Sequence, residues 1–295
     1  MKIRSVLVSV LVLVPAIVWA QFDDLIARAD ATYEAENPTA SLEALDGALA
    51  AAATDAERAE TYWRIARATL MEGDQTNDAG ADEDELLAIF TLGQDFADRA
   101  IAADARNPAG YYWKSANLGR WGETRGVVNS LFLADDMRDI LVEAITIDPE
   151  YSDAYYVLGI LYASVPGAIS FGDTEYAVSL ARRSIDLLEE EVAAGERDLV
   201  DAYYIELASH LIDRGWNTRR RTRELSRIAS RYQSAADPLE LGFYYEGVAR
   251  IPNLDDETEA RRLLEETIAR IDAKRDLLPG DVRRRAEAQE LLAAL

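Results

Sequence analysis

The 295-residue sequence predicts an all-α protein, a solenoid of helix pairs stacked side by side. Three observations predict it. Aromatic doublets recur at Tyr111-Tyr112, Tyr155-Tyr156, Tyr203-Tyr204 and Tyr244-Tyr245, with Tyr62-Trp63 as an earlier relative, each near the start of an apolar helical stretch. Their second members lie 44, 48 and 41 residues apart, a period that belongs to stacked helix pairs. No stretch alternates apolar and polar residues for long enough to suggest a sheet. Roughly 11 to 13 helices are expected after the N-terminal segment, in one repeat domain over 21–295.

The segment Met1–Ala20 has Lys2 and Arg4, an apolar run from Val6 to Trp19 broken by Ser9 and Pro15, and a small-residue end before Gln21. It reads as a secretory signal peptide cleaved after Ala20, the run being short for a spanning helix. An exported protein, not inserted in a membrane after cleavage, is expected. The absence of cysteine excludes disulfides and lipid attachment through a cysteine. The net charge of −23 argues against nucleic acid and anionic membranes as partners, and most of it serves solubility.

Glu72–Glu85 reads as a solvated acidic loop. Oxygens at Asp74, Thr76 and Asp78, with Gly80 one place late, miss the EF-hand spacing, so no metal is expected there. The second helices of two pairs end alike, with Ala103 five residues before Pro108 and Ala144 five before Pro149. Each proline removes a donor and pushes its predecessor out of the α region, so a new pair starts after it.

The clearest repeat is DAYYVLGILY from Asp153: Tyr155, Leu158-Gly159 and Tyr162 keep the spacing of a tetratricopeptide first helix. These positions share one face, and the glycine lets a partner helix approach. A second copy from Asp201 holds Tyr204, Leu207-Ala208 and Leu211 in the same places. Ala177, Leu180, Ala181, Ser184, Ile185, Leu188 and Val192 form one narrow helical face, and Leu263, Leu264, Ile268 and Ile271 another.

Three segments are candidates for binding. From Asn107 to Gly122 a helix places Trp113, Asn117 and Arg120 or Trp121 on adjoining turns with Lys114 beside them, an arrangement that suits an amphipathic ligand cleft or the core of a helix pair. In Val165–Asp173, Phe171 and Ile169 either cover the solenoid edge or roof a cleft, and Asp173 or Thr174 caps the next helix. Arg219, Arg223, Arg227 and Arg231 recur every four residues and spread over roughly a 120° arc, opposite Leu225, Ile228, Ala229 and Tyr232. They form either a solvated face neutralised by residues such as Glu224 or a docking surface for an acidic partner. His210, the only histidine, lies in an apolar helix, so histidine triads and histidine metal sites lack material, and no phosphate loop appears. No enzymatic activity and no cofactor are expected.

The run from Asn107 to Arg183 resembles the T component of tripartite ATP-independent periplasmic (TRAP) transporters, the TatT family. The matching residues are YYWKSANLGRWGETRG at 111–126, NSLF at 129–132, Asp148-Pro149, VLGILYASVPGAISFGD at 157–173, and Ala177 with Ala181. The resemblance implies an all-helical periplasmic protein that associates with the transporter's substrate-binding protein and forms a small homo-oligomer, a trimer in that family. It also implies a cleft or pore for a hydrophobic or amphipathic ligand, which on this chain would draw on Trp113, Lys114, Asn117, Arg120, Trp121 and Phe171. Lacking cysteine, the chain departs from the family's lipoprotein members. A repeat scaffold for envelope assembly, with no small-molecule site, is the alternative.

Overall fold

The computed structural model describes residues 14–168 and 170–295, and for 14–20 and 127–130 the backbone alone. Residues 1–13 of the expected signal peptide, and Ile169, lie outside the described residues.

Thirteen α-helices follow one another with no strand among the described residues: α1 Val14–Glu34, α2 Pro38–Ala51, α3 Asp55–Asp78, α4 Glu83–Ala103, α5 Pro108–Thr124, α6 Val127–Ile147, α7 Ser152–Ser164, α8 Thr174–Ala194, α9 Asp201–Arg214, α10 Thr218–Tyr232, α11 Pro238–Tyr244, α12 Asp256–Asp272 and α13 Pro279–Ala294. A 3-10 turn, Tyr245–Gly247, follows α11. The fold is an all-α, tetratricopeptide-like solenoid. Helices consecutive from α1 to α9 pack on one another, as do α10 with α11 and α12 with α13, and α3, α5, α7 and α9 also touch in succession, forming an inner row.

Local chemistry sets the boundaries. Thr54 and Glu57 form a reciprocal capping box at the start of α3. Asn107 caps α5 through the Ala109 amide with Pro108 in its first turn, where a missing N–H costs nothing. Gly195 and Gly215 end α8 and α9 at φ 76° and 60°, a conformation that favours glycine. Asp173 caps α8, accepting from the Glu175 and Tyr176 amides at 2.8 and 3.1 Å.

Pair packing follows the small residues. A Cβ on Gly159 would lie 3.3 Å from the Ala177 carbonyl and 3.5 Å from the Ala181 nitrogen, so α7 and α8 meet where the repeat pattern puts its glycine and alanines.

Three features differ from the sequence reading. Glu72–Asp78 is not loop but the last turns of α3, because Gly73 packs under the Phe90 ring and Asp74 pairs with Arg120. The break is confined to residues 79–82, with Gly80 at φ 86°. Next, α8 is buried beyond its narrow stripe, with Val178, Ser179, Arg182 and Leu187 also covered, since α9 and α11 with its turn pack on it from further sides. Finally, Tyr244-Tyr245 stands at the end of α11, not at a helix start, where the turn presses against α10 so closely that a Cβ on Gly247 would strike the Ala229 backbone.

The first and last helices are linked. The Gly280 amide at the start of α13 donates to both oxygens of Glu36, just past α1, at 2.9 Å, and Arg283 pairs with Asp78 of α3 at 3.3 Å. These contacts tie the start of α13 to the segment after α1 and to the end of α3.

Candidate functional site: the inner face and the α10 ridge

The inner face gathers tyrosines from separate elements. Tyr156 of α7 stacks on Tyr203 of α9 with centroids 4.2 Å apart, and Tyr112 of α5 meets Tyr151 edge-on at 5.8 Å. Tyr33 of α1 carries the Arg67 guanidinium over its ring at 4.0 Å. Burial, then the negative charge of Asp153, pushes the Tyr112, Tyr151 and Tyr203 phenols well above their usual range.

Charged groups punctuate these rings in pairs. Asp153 accepts from the Tyr203 hydroxyl and from Arg197 at 3.2 Å, and Arg197 also reaches Glu191 at 3.2 Å. Asp30 holds Arg64 and Arg67, which lie 4.0 and 5.2 Å from the Trp63 ring centroid. Glu206 on α9 is the exception. Burial, then Glu287 and Asp213, raises its carboxyl to about 7 with no cation among the causes. The face therefore offers aromatic planes with both signs of charge, suited to an amphipathic guest or a peptide.

The segment 111–121 is divided. Asn117 is fully buried: its amide donates to the Ala66 and Trp113 carbonyls at 3.2 and 2.8 Å, and its Oδ1 presses on Gly93, where a Cβ could not fit. It ties α5 to α3 and α4, so its side chain faces interhelical packing and not open space. Trp113 is half-buried, edge-on to Tyr112 at 4.8 Å, and Lys114 pairs with Asp98 at 2.7 Å. Trp121 lies under the Arg125 guanidinium at 5.3 Å. Arg120 alone of the group lines an open hollow, of about 380 Å³, where it pairs with Asp74 at 3.0 Å and Glu123 at 2.8 Å beside Leu86 and Phe90. Phe171 packs edge-on to Tyr162 at 4.9 Å under Arg138, away from these residues, as cover for the α7–α8 junction.

Arg219, Arg223, Arg227 and Arg231 all face solvent on α10. Glu224 takes Arg223 at 2.9 Å and Arg227 at 2.7 Å, and Glu175 takes Arg227 at 2.9 Å. Arg231 lies 5.5 Å over the Tyr244 ring, and among the described residues Arg219 has no ion pair.

Sequence reasoning passed over a buried ionic cluster behind α10. Arg182 grips Glu259 with two bonds at 3.0 and 2.8 Å and Glu246 at 3.0 Å. Arg214 holds Glu246 and Asp256 in the same forked manner at 2.5 to 3.0 Å. Arg221 reaches Glu259 and the Leu254 carbonyl. Three cations face three carboxylates, all nearly inaccessible, so the cluster is neutral. A signal was present: Val178-Arg182-Ile185 and Leu207-Leu211-Arg214 put arginine in apolar i, i+4, i+7 rows. His210 is buried, its imidazole makes no hydrogen bond among the described residues, and burial lowers its pKa to about 4.

Among the described residues, no group of histidines or carboxylates could hold a metal ion, and no helix is long and apolar enough to cross a membrane.

A family model described as regulator of microtubule dynamics protein 1-3 matches residues 25–167. No curated protein matches significantly. Solved structures similar to the chain include a thermophilic TPR protein of Thermus thermophilus, at 16% identity over 77% of this chain and 98% of that one, with a TM-score of 0.48. PilF of Pseudomonas aeruginosa matches at 14% identity over 94% and 99%, TM-score 0.44. The MamA protein matches at 14% over 88% and 100%, TM-score 0.37.

Proposed function

We propose that this chain is an exported helical-repeat binding component of a TRAP-type transporter, of the TatT kind. After removal of the segment ending at Ala20 it works in the periplasm, docks on the substrate-binding protein through the α10 arginines, and holds an amphipathic guest against its inner face. The observation that carries this reading is the pair of ring contacts, Tyr112 with Tyr151 and Tyr156 with Tyr203, that joins α5, α7 and α9 along the inner row. Rings take the apolar part of a guest, and Arg67, Arg197 and Asp153 its polar end. The tetratricopeptide-like fold supports the coarser role of a protein-interaction scaffold. The trimer that the resemblance implies belongs to the same reading.

The full burial of Asn117 and the Lys114–Asp98 pair favour the second reading, a protein scaffold without a small-molecule site, because they commit part of the 111–121 segment to packing. Affinity purification of the tagged full chain from its own host separates them. Recovery of a TRAP-type substrate-binding protein in a salt-sensitive complex is the expected result. Recovery of envelope assembly proteins in its place overturns the transporter role.

A further inference from the structure

The solvent side of α10 carries two adjoining rows with the same four-residue step. One is the arginine ridge of Arg219, Arg223, Arg227 and Arg231. The other is Thr218, Thr222, Ser226, Ser230 and, just past the helix end, Ser234. The hydroxyls of this row turn back on carbonyls four residues earlier: Thr222 to Thr218 at 2.9 Å, Ser226 to Thr222 at 3.4 Å, Ser230 to Ser226 at 3.0 Å and Ser234 to Ser230 at 3.5 Å. Satisfied in this way, the short side chains make a shallow furrow beside a ridge of guanidinium groups.

The ridge is only partly neutralised. Glu224 and Glu175 serve Arg223, Arg227 and, at 3.8 Å, Arg220, while Arg219 and Arg231 meet no carboxylate among the described residues. A cationic face of this length stands out on a chain of net charge −23. It is also held firmly from behind, since Arg221 is locked in the buried ionic cluster and Ile228 is 4% exposed.

We propose that α10 is a docking surface for an acidic α-helix of a partner protein, one that presents Asp or Glu at four-residue intervals and lies along the hydroxyl furrow with its carboxylates on the arginines. The proposal deepens the docking role given to α10 above. The matching step selects a helix: side chains four apart recur about every 6 Å along the axis, in register with the ridge. Four-residue rows of two helices interdigitate at a crossing of about −50°, so the partner meets the ridge closely at its centre, where the small Ser/Thr row admits its backbone, and the long outer arginines reach toward it. Guanidinium forks take carboxylates with paired bonds, whereas the net negative charge of the chain disfavours a long phosphate polymer.

The test uses the full chain and three probes in fluorescence anisotropy: a helical peptide with Glu at every fourth position, a peptide of the same composition with irregular Glu spacing, and a single-stranded oligonucleotide. The regular peptide is expected to bind about tenfold tighter than the irregular one, a difference of about 1.4 kcal/mol. Binding is expected to fall sharply in R219E/R231E, which breaks no ion pair among the described residues and leaves the thermal melt unchanged, and to vanish in R219E/R223E/R227E/R231E, whose melt is expected to fall because the pairs with Glu224 and Glu175 are lost, so its binding is read well below its midpoint. Equal binding of the two peptides, oligonucleotide binding as tight as the regular peptide's, or retention by the quadruple variant overturns the proposal. Regular-peptide binding without recovery of a substrate-binding protein from the host removes the transporter reading and leaves the surface. Recovery of that protein with equal peptide binding does the reverse.

Discussion

Tyr156 and Tyr203, from successive inner helices, stack with planes 9° from parallel, while their doublet partners Tyr155 and Tyr204 turn into the interhelical core at 2% and 7% exposure. Tyr203 is itself 2% exposed and belongs to the core, so of the stacked pair only Tyr156 keeps a partly open ring, and the division between an inner-face ring and a core ring holds for the 155–156 doublet. Tyr155 packs against Gly242 of α11 and donates its hydroxyl to the Pro149 carbonyl at 3.1 Å.

The two rings should therefore separate by experiment. Tyr155→Ala is expected to cost about 3–5 kcal/mol, as for other large core truncations. Tyr156→Ser should cost distinctly less and act on binding. Urea melts of both variants check this.

The buried ionic cluster should make the C-terminal half sensitive to acid. Burial alone would raise Glu246, but Arg182 and Arg214, with Arg221, outweigh it and hold its carboxyl at about 2, and Glu259 is lowered in the same way. Folded-state values below the unfolded ones mean that this stability is complete above the unfolded pKa and is lost as pH falls toward 2. Glu246→Ala, which strands two arginines, should cost about 3–5 kcal/mol at pH 7 and much less at pH 2–3. Denaturant midpoints at the two pH values provide the comparison.

Glu206 should act with the opposite sign. Its carboxyl, raised to about 7, binds its proton more tightly in the fold than in the unfolded chain, so the fold weakens as pH rises through 7. Glu206→Gln should raise the melting temperature at pH 8 and leave it nearly unchanged at pH 5. Calorimetry at the two pH values measures it.

The contact between the start of α13 and Glu36 involves Gly280. A Cβ there would collide with the Glu36 carboxylate that the Gly280 amide now meets. Gly280→Val should push the flexible Glu36 carboxylate aside and remove its contact with the residue-280 amide, a small loss of stability read by urea melts, with α13 still held by α12 and α9.

Much of this architecture was legible in the sequence because helix pairing is written in local periodicity: the Tyr155, Gly159 and Tyr162 face and the Ala177–Ala181 step both appear where α7 meets α8. The inner face was half legible. The doublets marked it, but which ring of each turns inward is decided by helix rotation, which spacing leaves open. Asn117 reads as a polar group beside tryptophans and only tertiary packing against Gly93 and Ala66 reveals its burial. Arg182, Arg214 and Arg221 were hidden among the many charges of an acidic chain, since pairing with Glu246, Asp256 and Glu259 joins residues far apart in sequence.

The most direct test of the central claim, that the tyrosine-lined interior holds a guest, is native mass spectrometry of the full chain purified gently from its host. The wild-type protein is predicted to carry a non-covalent adduct that is released chemically unchanged on denaturation and is missing from Tyr112→Ser/Tyr156→Ser. A wild-type protein with no adduct, or a double variant that keeps it, would contradict the account.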